Sequence, residues 1–344
     1  MAWSIERAAE WRARDGWRLG FNYVPSTAVN TTEFWQAETF DLPTIRRELT
    51  WAAELGFNAC RVFLQYLVHV ADPAGHLARL DAFLDAAGGL GLAVMPVLFD
   101  DCAFAGKQPH LGRQAEPVPG VHNSGWTPSP GSERVRDAAQ WPALRGYVQD
   151  VLSALAKDER VNVIDLYNEP GNGAMGSDSL ALLRAAFTWA REANPSQPLT
   201  AGPWSPELVD LNELMLAESD VTSFHSYEPL ASVRDLARSL ESSGRPLLCT
   251  EWMRRTPHAT STGGENSSIA TLLPFFHESG ISCYQWGLVN GRTQTHLPWG
   301  LTNDLNPPTW FHDLLTADGR PHDSDEIEVI RRHAPRRSGG ALHS

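Results

Sequence analysis

The feature of this sequence that most restricts its fold is a repeated alternation of short apolar, β-branched runs with longer segments of helical period. A strand followed by an amphipathic helix is the repeating unit of a parallel sheet, because the helix returns the chain to the edge where the next strand begins. Eight strand-like runs occur, at residues 18–24, 59–64, 93–100, 161–168, 199–204, 221–227, 246–252 and 282–288. With right-handed crossovers and no break in composition, they predict an α/β fold, a single-domain (β/α)8 TIM barrel.

Helical segments fill the intervals between these runs. The clearest are residues 42–55, 77–88, 142–156, 179–192, 233–243 and 266–279, with a shorter one at 206–217 and an amphipathic opening helix within residues 1–17. Four glycines, Gly56, Gly91, Gly244 and Gly280, stand between a helix and the next strand, where a left-handed residue commonly ends a helix. We expect one domain over residues 1–335 and a disordered tail over residues 336–344.

The charge balance of the chain restricts its partners. The chain has 344 residues and a formal net charge of −13, and its 28 lysines and arginines form no cluster. We therefore expect no binding to nucleic acid or to an anionic membrane surface, and a neutral ligand instead. The sequence also contains no apolar run long enough to span a bilayer. The oligomeric state stays open.

The N-terminal residues and the cysteines bear on the cellular compartment. The opening MAWSIERAAEWRARDGW lacks the basic and apolar regions of a secretory signal, so we expect the mature chain to begin here. Cys60, Cys102, Cys249 and Cys283 show no CxxC spacing and lie in or beside strand-like runs. They are predicted to be buried free thiols rather than disulfides or a zinc site. Both observations predict a cytoplasmic protein.

Two long connections, residues 102–141 and 290–307, follow the third and the eighth strand-like runs. Both leave the carboxyl ends of strands, which is the face on which barrels of this type build active sites. They are rich in proline, glycine and aromatic residues, among them His122, Trp126 and Trp299. We interpret them as walls of a cleft, with tolerated surface insertions as the alternative.

Two glutamates end strand-like runs in a way that indicates chemistry. Glu169 follows the apolar run in VIDLYNEP, and Glu251 ends PLLCTEW. A carboxylate at the end of a buried parallel strand is costly unless it is paired or solvated in a cleft. Hydrolysis of a glycosidic bond needs two such groups across the anomeric carbon. The structural alternative is a carboxylate that caps the following helix or pairs with Arg254 or Arg255.

The residues around Glu169 carry a family resemblance. Asn168, Glu169 and Pro170 resemble the Asn-Glu-Pro motif on the fourth strand of clan A glycoside hydrolases, and more narrowly of family 5, the cellulase-like family. Further matches in the family's strand order are Arg61 on the second strand, His225 and Tyr227 on the sixth, Glu251 on the seventh and Trp286 on the eighth. The resemblance implies a retaining β-glycosidase with Glu169 as general acid/base, Glu251 as nucleophile, and no cofactor or metal. It also implies carboxyl groups ~5 to 5.5 Å apart, and we expect the charge of Glu251 to raise the pKa of Glu169.

The resemblance implies roles for the other matched residues as well. Arg61 would keep the nucleophile ionised, Tyr227 would orient it, and Asn168 would donate to the substrate 2-hydroxyl. His225 would order the acid/base or bind a sugar hydroxyl. Trp286 would form the floor of the subsite for the non-reducing sugar. Taken singly, a structural arginine and ordinary core aromatics are the alternatives.

The third strand departs from the family pattern. Family 5 usually has a histidine near the end of this strand, whereas the chain reads VLFDDCAF, with Asp100 and Asp101 there. A carboxylate pair can bind two adjacent sugar hydroxyls, so we hypothesise that these residues help to recognise the terminal sugar. His122, further along the loop, would supply the missing imidazole or occupy a plain surface position.

The resemblance narrows the substrate to a neutral β-linked oligosaccharide. Strings such as LFDDC, LYNEPGN and WGLVNGRTQTHLPWG resemble an intracellular bacterial β-mannosidase subfamily of family 5 that is often labelled xylanase. That resemblance implies short substrates such as Man-β-1,4-GlcNAc. We expect exo-action, because a chain without a secretory signal meets imported oligosaccharides and because the two long loops can close one end of the cleft. The alternatives are an endo-acting β-1,4-glycanase on glucan, mannan or xylan and, from another class, a carbohydrate-binding barrel without catalysis.

Overall fold

Eight parallel strands form one sheet that curls into a nearly closed barrel. The structure is a computed structural model and describes residues 1–256 and 267–335. The strands are β1 (Leu19–Tyr23), β2 (Ala59–Phe63), β3 (Ala93–Asp100), β4 (Ile164–Asn168), β5 (Leu199–Gly202), β6 (Thr222–Ser226), β7 (Leu247–Trp252) and β8 (Ser282–Trp286). Neighbours in the chain are neighbours in the sheet and β1 pairs with β8, so the predicted (β/α)8 barrel is confirmed. Within the described residues, β5 and β6 share no hydrogen-bonded register and form the seam of the barrel.

Helices surround the barrel and connect its strands. They are α1 (Ile5–Asp15), α2 (Thr31–Trp35), α3 (Leu42–Leu55), α4 (Tyr66–Ala71), α5 (Pro73–Gly88), α6 (Ser132–Arg136), α7 (Trp141–Leu155), α8 (Leu180–Ala193), α9 (Val209–Glu218), α10 (Leu230–Leu240), α11 (Ile269–Glu278) and α12 (Ser324–His333). Short 3-10 turns occupy Phe104–Gly106, Ala138–Gln140, Gly176–Ser179 and Glu241–Ser243. The predicted helix-ending glycines, Gly56, Gly91, Gly244 and Gly280, all have positive φ.

The observed bounds differ from the predicted ones mainly at the ends of elements. β3 has the predicted bounds, whereas β4 begins only at Ile164, because Val161 pairs with β3 through an isolated bridge to Val94. Helix α5 begins earlier than predicted, directly after its cap Asp72, and α10 begins three residues earlier, at Leu230. Helices α2, α4, α6 and α12 are not predicted; the first three have only five or six residues, too few to show a helical period. The predicted tail at 336–344 lies outside the described residues.

The interior of the barrel is apolar at the amino ends of the strands. Trp3 and Trp11, the latter on α1, pack there against the inward-facing side chains Ala59, Ala93, Met95, Val163, Val221, Leu248 and Tyr284. A larger apolar core lies between the sheet and its helices. The inward-facing residues nearer the carboxyl ends are polar and buried, namely Asn22, Arg61 and Asp165. The barrel therefore presents its chemistry at one end only.

The cysteines are reduced, as predicted. Cys60, Cys249 and Cys283 are buried and Cys102 is partly buried, and all four are free. The three buried thiols lie among packed side chains, which is the usual setting of unreactive cysteines, whereas Cys102 lines a cleft at the carboxyl end of the barrel. Among the described helices, none combines the length and the apolarity needed to cross a membrane.

The two long connections predicted to form cleft walls pack against each other. Val121 in the connection after β3 makes an antiparallel bridge to Leu301 in the connection after β8. Asn123 donates its backbone N–H to the carbonyl of Thr293 at 2.8 Å. The pair therefore forms one continuous wall over the carboxyl ends of β3 and β8.

Asp220 joins the amino-terminal segment to the barrel. It is fully buried and accepts hydrogen bonds from the backbone N–H of Trp3 at 2.6 Å and of Leu199 at 2.8 Å. It also forms a two-pronged ion pair with Arg191, with N–O distances of 2.7 and 2.8 Å. Asp235 pairs with Arg238 at 3.1 Å in an exposed setting on α10 and offers a matched comparison.

We predict that Asp220→Ala lowers the free energy of unfolding by about 3–5 kcal/mol, because it leaves a guanidinium and two backbone N–H groups without their acceptor. Asp235→Ala should cost under about 1 kcal/mol, since exposed ion pairs contribute little. Urea denaturation of both variants measures the difference. Equal losses in the two variants would contradict this role for Asp220.

Candidate active site

The two glutamates predicted from the strand ends meet in a cleft of about 560 Å³ at the carboxyl end of the barrel. Glu251 lies on β7, and Glu169 follows β4 with φ of 46°, a conformation that non-glycine residues seldom adopt. The backbone N–H of Glu169 donates to the carbonyl of Gly202 on β5 at 2.7 Å. This contact holds the strained turn and directs the carboxyl group into the cleft.

Glu251 receives donors on both of its oxygens. Arg61 Nη1 donates to Oε1 at 2.9 Å, and the Tyr227 hydroxyl donates to Oε2 at 2.9 Å. Burial raises the pKa of Glu251, and the positive charge of Arg61 opposes that rise. Donors on both oxygens orient the carboxylate and stabilise its ionised form.

Arg61 itself is completely buried and connects several strands. Its Nε and Nη2 donate to Asp165 Oδ2 at 3.1 and 2.8 Å. Nη1 also donates to Asn22 Oδ1 at 2.8 Å, and Nη2 donates to Asn168 Oδ1 at 2.7 Å. One guanidinium thus joins residues of β1, β4 and β7.

Glu169 has a different environment. Nδ1 of His225 lies 3.0 Å from Oε1, and the side-chain amide of Asn172 donates to Oε2 at 2.6 Å. Burial raises the pKa of Glu169 to about 7, opposed by the Asn172 hydrogen bond and by the charge of Arg61. The raised pKa is as expected, but the expected cause is wrong: burial, not the charge of Glu251, produces the shift. Burial also lowers the pKa of His225 to about 4, so this imidazole is neutral near pH 7.

The two carboxyl groups lie close together. One oxygen of Glu169, one oxygen of Glu251 and a ring nitrogen of His225 all fall within 4.8 Å of one another. Inverting glycosidases separate their carboxyl groups by about 6.5–9.5 Å to admit a water molecule. The shorter approach suits direct attack by one carboxylate. The same three atoms form the one group in the described residues that is close enough to hold a metal ion.

Aromatic rings line the cleft on the β8 side, as the sequence predicts. Trp286 at the end of β8 lies 6.0 Å from Trp126, with the ring planes at 68°. Trp299 packs edge-on against Tyr227 at 5.1 Å. His122 lines the same cleft and is buried, with Nδ1 2.7 Å from the carbonyl of Leu297, so the plain surface position is wrong for it.

Asp100 does not face the cleft as an open sugar-binding carboxylate. It is 3% exposed, and its oxygens accept hydrogen bonds from Asn168 Nδ2 at 2.8 Å, Trp126 Nε1 at 2.7 Å and the Cys102 N–H at 2.9 Å. Burial raises the pKa of this carboxyl group. The hypothesis that Asp100 binds sugar hydroxyls directly is therefore wrong. It holds Asn168 and Trp126 in place.

Asp101 is placed in the same way, on the other side of the strand end. It is 2% exposed and accepts hydrogen bonds from the Tyr167 hydroxyl at 2.7 Å, from the Gly171 N–H at 2.8 Å and from Ser179 Oγ. Burial raises its pKa to about 6. Direct sugar recognition by Asp101 is also wrong, because its side chain is buried and does not line the cleft. Its contacts fix the loop that follows Glu169.

Several residues of the site are not predicted from the sequence. Asn172 stands three positions after Glu169, and that spacing is the signal that could have identified it. His312 also lines the cleft, 5.5 Å from the Tyr227 ring, but it belongs to an irregular segment with no strand or motif nearby. Asp165 lies inside a buried strand, where only the pairing with Arg61 identifies it.

Comparison with known proteins bears on these observations. The model of the cellulase family, glycosyl hydrolase family 5, matches residues 22–291. The comparison with curated proteins gives no match.

Three solved structures illustrate the similarity in fold. An exo-β-1,4-mannosidase from Opitutaceae bacterium strain TAV5 has a TM-score of 0.63 at 20% identity, and the match covers 93% of this chain and 60% of that one. The GH5_18 protein of Streptomyces cattleya in complex with Manβ1-4GlcNAc has a TM-score of 0.60 at 18% identity, covering 94% and 82%. An endo-β-1,4-mannanase from Thermotoga petrophila has a TM-score of 0.59 at 12% identity, covering 94% and 77%. These similar structures support the fold. Because the family model matches most of the chain, the protein belongs to glycosyl hydrolase family 5 and is a retaining glycoside hydrolase.

Proposed function

We propose that this enzyme is an exo-acting β-mannosidase that cleaves short substrates such as Man-β-1,4-GlcNAc by double displacement, with one catalytic domain over residues 1–335. The observation that carries the mechanism is the unequal treatment of two neighbouring carboxyl groups. Glu251 accepts hydrogen bonds from the charged Arg61 and from Tyr227, whereas Glu169 has the neutral partners His225 and Asn172, and burial raises its pKa to about 7. Such a pair assigns one group as nucleophile and the other as acid.

In the first step, Glu169 gives its proton to the glycosidic oxygen while a Glu251 oxygen bonds to the anomeric carbon. The leaving alcohol departs and a glycosyl ester of Glu251 remains. Arg61 and Tyr227 hold the attacking carboxylate at 2.9 Å each, so little reorientation is needed. The second N–H of Asn168, whose first donates to Asp100, is the group we assign to the sugar 2-hydroxyl.

In the second step, the ionised Glu169 takes a proton from a water molecule, which attacks the anomeric carbon and releases Glu251. His225 is 3.0 Å from Glu169 and 3.8 Å from Glu251. We propose that His225 holds Glu169 in position. Because the imidazole is neutral, it does so without forming an ion pair with either glutamate.

Two observations support exo-action on a mannoside. The joined loops after β3 and β8 form one side of the cleft, and they contribute His122 and Trp299 to its lining. This arrangement suits a pocket for a terminal sugar. Two of the similar structures are an exo-β-1,4-mannosidase and a protein solved with Manβ1-4GlcNAc. The four free thiols suit a reducing compartment and support a cytoplasmic location.

An endo-acting β-1,4-glycanase is the second candidate. The observation that favours it is the similar fold of an endo-β-1,4-mannanase, at 12% identity. A barrel that binds carbohydrate without catalysis is the third, and the retained pair of glutamates argues against it.

Product analysis and a glycoside panel test the proposed function. We predict that 4-nitrophenyl β-mannoside is cleaved with a kcat/KM at least about tenfold above that for the β-glucoside and β-xyloside. Manβ1,4GlcNAc and mannobiose should be cleaved too, and a reduced mannopentaose should release mannose alone. Internal cleavage of the pentasaccharide would instead assign the enzyme to the endo class.

The catalytic assignment is checked on the same substrates. Glu251→Ala should reduce turnover by about a thousandfold or more, because no group replaces the nucleophile. Glu169→Ala should lose most activity on Manβ1,4GlcNAc but keep much of its kcat/KM on a 2,4-dinitrophenyl glycoside, whose leaving group needs no proton, while kcat falls because the second step loses its base. Turnover should survive a chelator in this metal-free mechanism.

The pKa of Glu169 predicts the pH profile. Because the acid must be protonated, kcat/KM on an alkyl glycoside should fall as the pH rises through about 7. Asn172→Ala removes a hydrogen bond that lowers the pKa of Glu169, so the alkaline limb should move to higher pH. Asn303→Ala, at an exposed position, is the control and should leave the profile unchanged. A limb that stays in place in Asn172→Ala would remove Glu169 as the titrating group.

Gly202 provides a test of the position of His225. A Cβ added at Gly202 would lie 2.7 Å from His225 Nε2, so Gly202→Ala must displace the imidazole. We predict at least a tenfold loss of kcat/KM, measured on 4-nitrophenyl β-mannoside, with the fold retained. Gly146→Ala is the matched control, because a Cβ there meets no atom within 4 Å. It should keep full activity and raise stability by up to about 1 kcal/mol. Full activity in Gly202→Ala would show that the position of His225 does not matter.

A further inference from the structure

The seam of the barrel contains an apolar cavity. Where β5 and β6 fail to pair, a cavity of about 240 Å³ lies between them and helices α9 and α10. Its apolar walls include Phe224 of β6, Met215 and Leu216 of α9, and Leu240 of α10. At about 30 Å³ per water molecule, the cavity has the volume of about eight water molecules. A short alkyl chain or one aromatic ring has a similar volume.

Several polar side chains of this wall have partners within the protein. Thr222 Oγ1 is 3.2 Å from Ser243 Oγ, and Ser223 Oγ is 2.8 Å from Thr200 Oγ1. The amide of Asn212 donates to the carbonyl of Ser205 at 2.8 Å, whereas Asn212 Oδ1 and His225 Nε2 are buried without a hydrogen-bond partner among the described residues. Apart from these two atoms an occupant of the cavity meets mainly carbon, and burial of apolar surface is the main interaction available to it.

The cavity adjoins the active-site cleft. Four residues line both spaces, and these are Trp204, Pro206, His225 and Leu236. Trp204 is half exposed at the junction. The two spaces are therefore separated by no more than this shared set of side chains.

The junction lies on the leaving-group side of the cleft. Glu169, which must reach the glycosidic oxygen, is hydrogen-bonded through its backbone to Gly202 at the end of β5. Trp204 and Pro206 stand two and four positions after Gly202 in the chain. The aromatic wall of Trp126, Trp286 and Trp299 comes from the β3 and β8 loops, away from this seam.

We propose that the seam cavity is an aglycone subsite that takes an apolar group, such as an alkyl chain of up to about eight carbons or a phenyl ring. It rests on the proposed function, because the aglycone must leave from Glu169. The enzyme then hydrolyses alkyl and aryl β-glycosides in addition to disaccharides. The sugar sits over Trp286, and the apolar tail passes Trp204 into the cavity.

The test is the hydrolysis of methyl, butyl, hexyl and octyl β-mannosides below their micelle concentrations. These leaving alcohols have similar acidity, so the chemical step is constant and only the buried tail changes. We expect kcat/KM to rise about two- to fourfold for each added methylene, until the cavity is full. If the glycoside panel identifies another sugar, the alkyl series is made on that sugar. Failure of the mannosidase assignment is thereby separated from failure of the subsite.

Filling the cavity should abolish the trend. Leu216→Trp and Leu240→Trp place an indole in the space, and we expect a flat chain-length series with methyl glycoside hydrolysis within about twofold of wild type. Val209→Trp, on the same helix α9 but 56% exposed and outside the cavity, is the matched control and should keep the rise. Leu240→Asn replaces the apolar wall by a polar one and should reduce the slope where a tryptophan variant does not fold.

Two results would overturn the proposal. A wild-type enzyme with the same kcat/KM for methyl and octyl glycosides has no apolar aglycone subsite. A rise that persists unchanged in both tryptophan variants and in Leu240→Asn places the subsite elsewhere on the surface.

Discussion

A guanidinium without contact to solvent organises the carboxyl end of this barrel. Arg61 donates to Asp165, Glu251, Asn22 and Asn168 at distances between 2.7 and 3.1 Å. Such a charge is tolerable in the interior only because its partners are themselves charged or polar and well placed. The consequence runs in both directions. The carboxylates hold Arg61 in the core, and Arg61 holds Glu251 and Asn168 in a fixed relation across β4 and β7.

The second constraint is the burial of Glu169. A carboxyl group largely removed from water prefers its neutral form, which raises the pKa of Glu169 to about 7 and suits the acid role proposed for it. The same burial costs stability whenever Glu169 is ionised, and its backbone adopts φ of 46°. The turn is maintained by its bond to Gly202 and by the loop that Asp101 fixes. Stability is thus exchanged for reactivity at this position.

The polar side chains beneath the cleft form their hydrogen bonds with other groups of the protein. Asp100 orders Asn168 and Trp126, and Asp101 orders the turn after Glu169. The side chains that remain available to a substrate line the cleft on the loops and strand ends, and His122, Trp299 and His312 are among them. In barrels of this type, such loops commonly carry the residues that distinguish one substrate from another.

Much of this arrangement is determined by the sequence alone. The alternation of runs predicts the barrel, and since parallel strands end at one face, Glu169 and Glu251 are expected to meet there; the resemblance to family 5 adds Arg61, His225 and Tyr227. Residue order is sufficient for that inference because strand direction is the same throughout.

Only the tertiary structure decides the rest. The orientation of the Asp100 and Asp101 side chains depends on hydrogen-bond donors from β4 and from the loops. Some of these donors are distant in the sequence and others are adjacent to the aspartates, and no periodic pattern marks them. The cause of the Glu169 pKa is burial, a property of the whole packed cleft. His312 and the seam cavity come from segments that meet only in three dimensions. Strand periodicity predicts which residues face the interior of the barrel. The hydrogen-bond and packing partners of each side chain depend instead on how distant segments pack together.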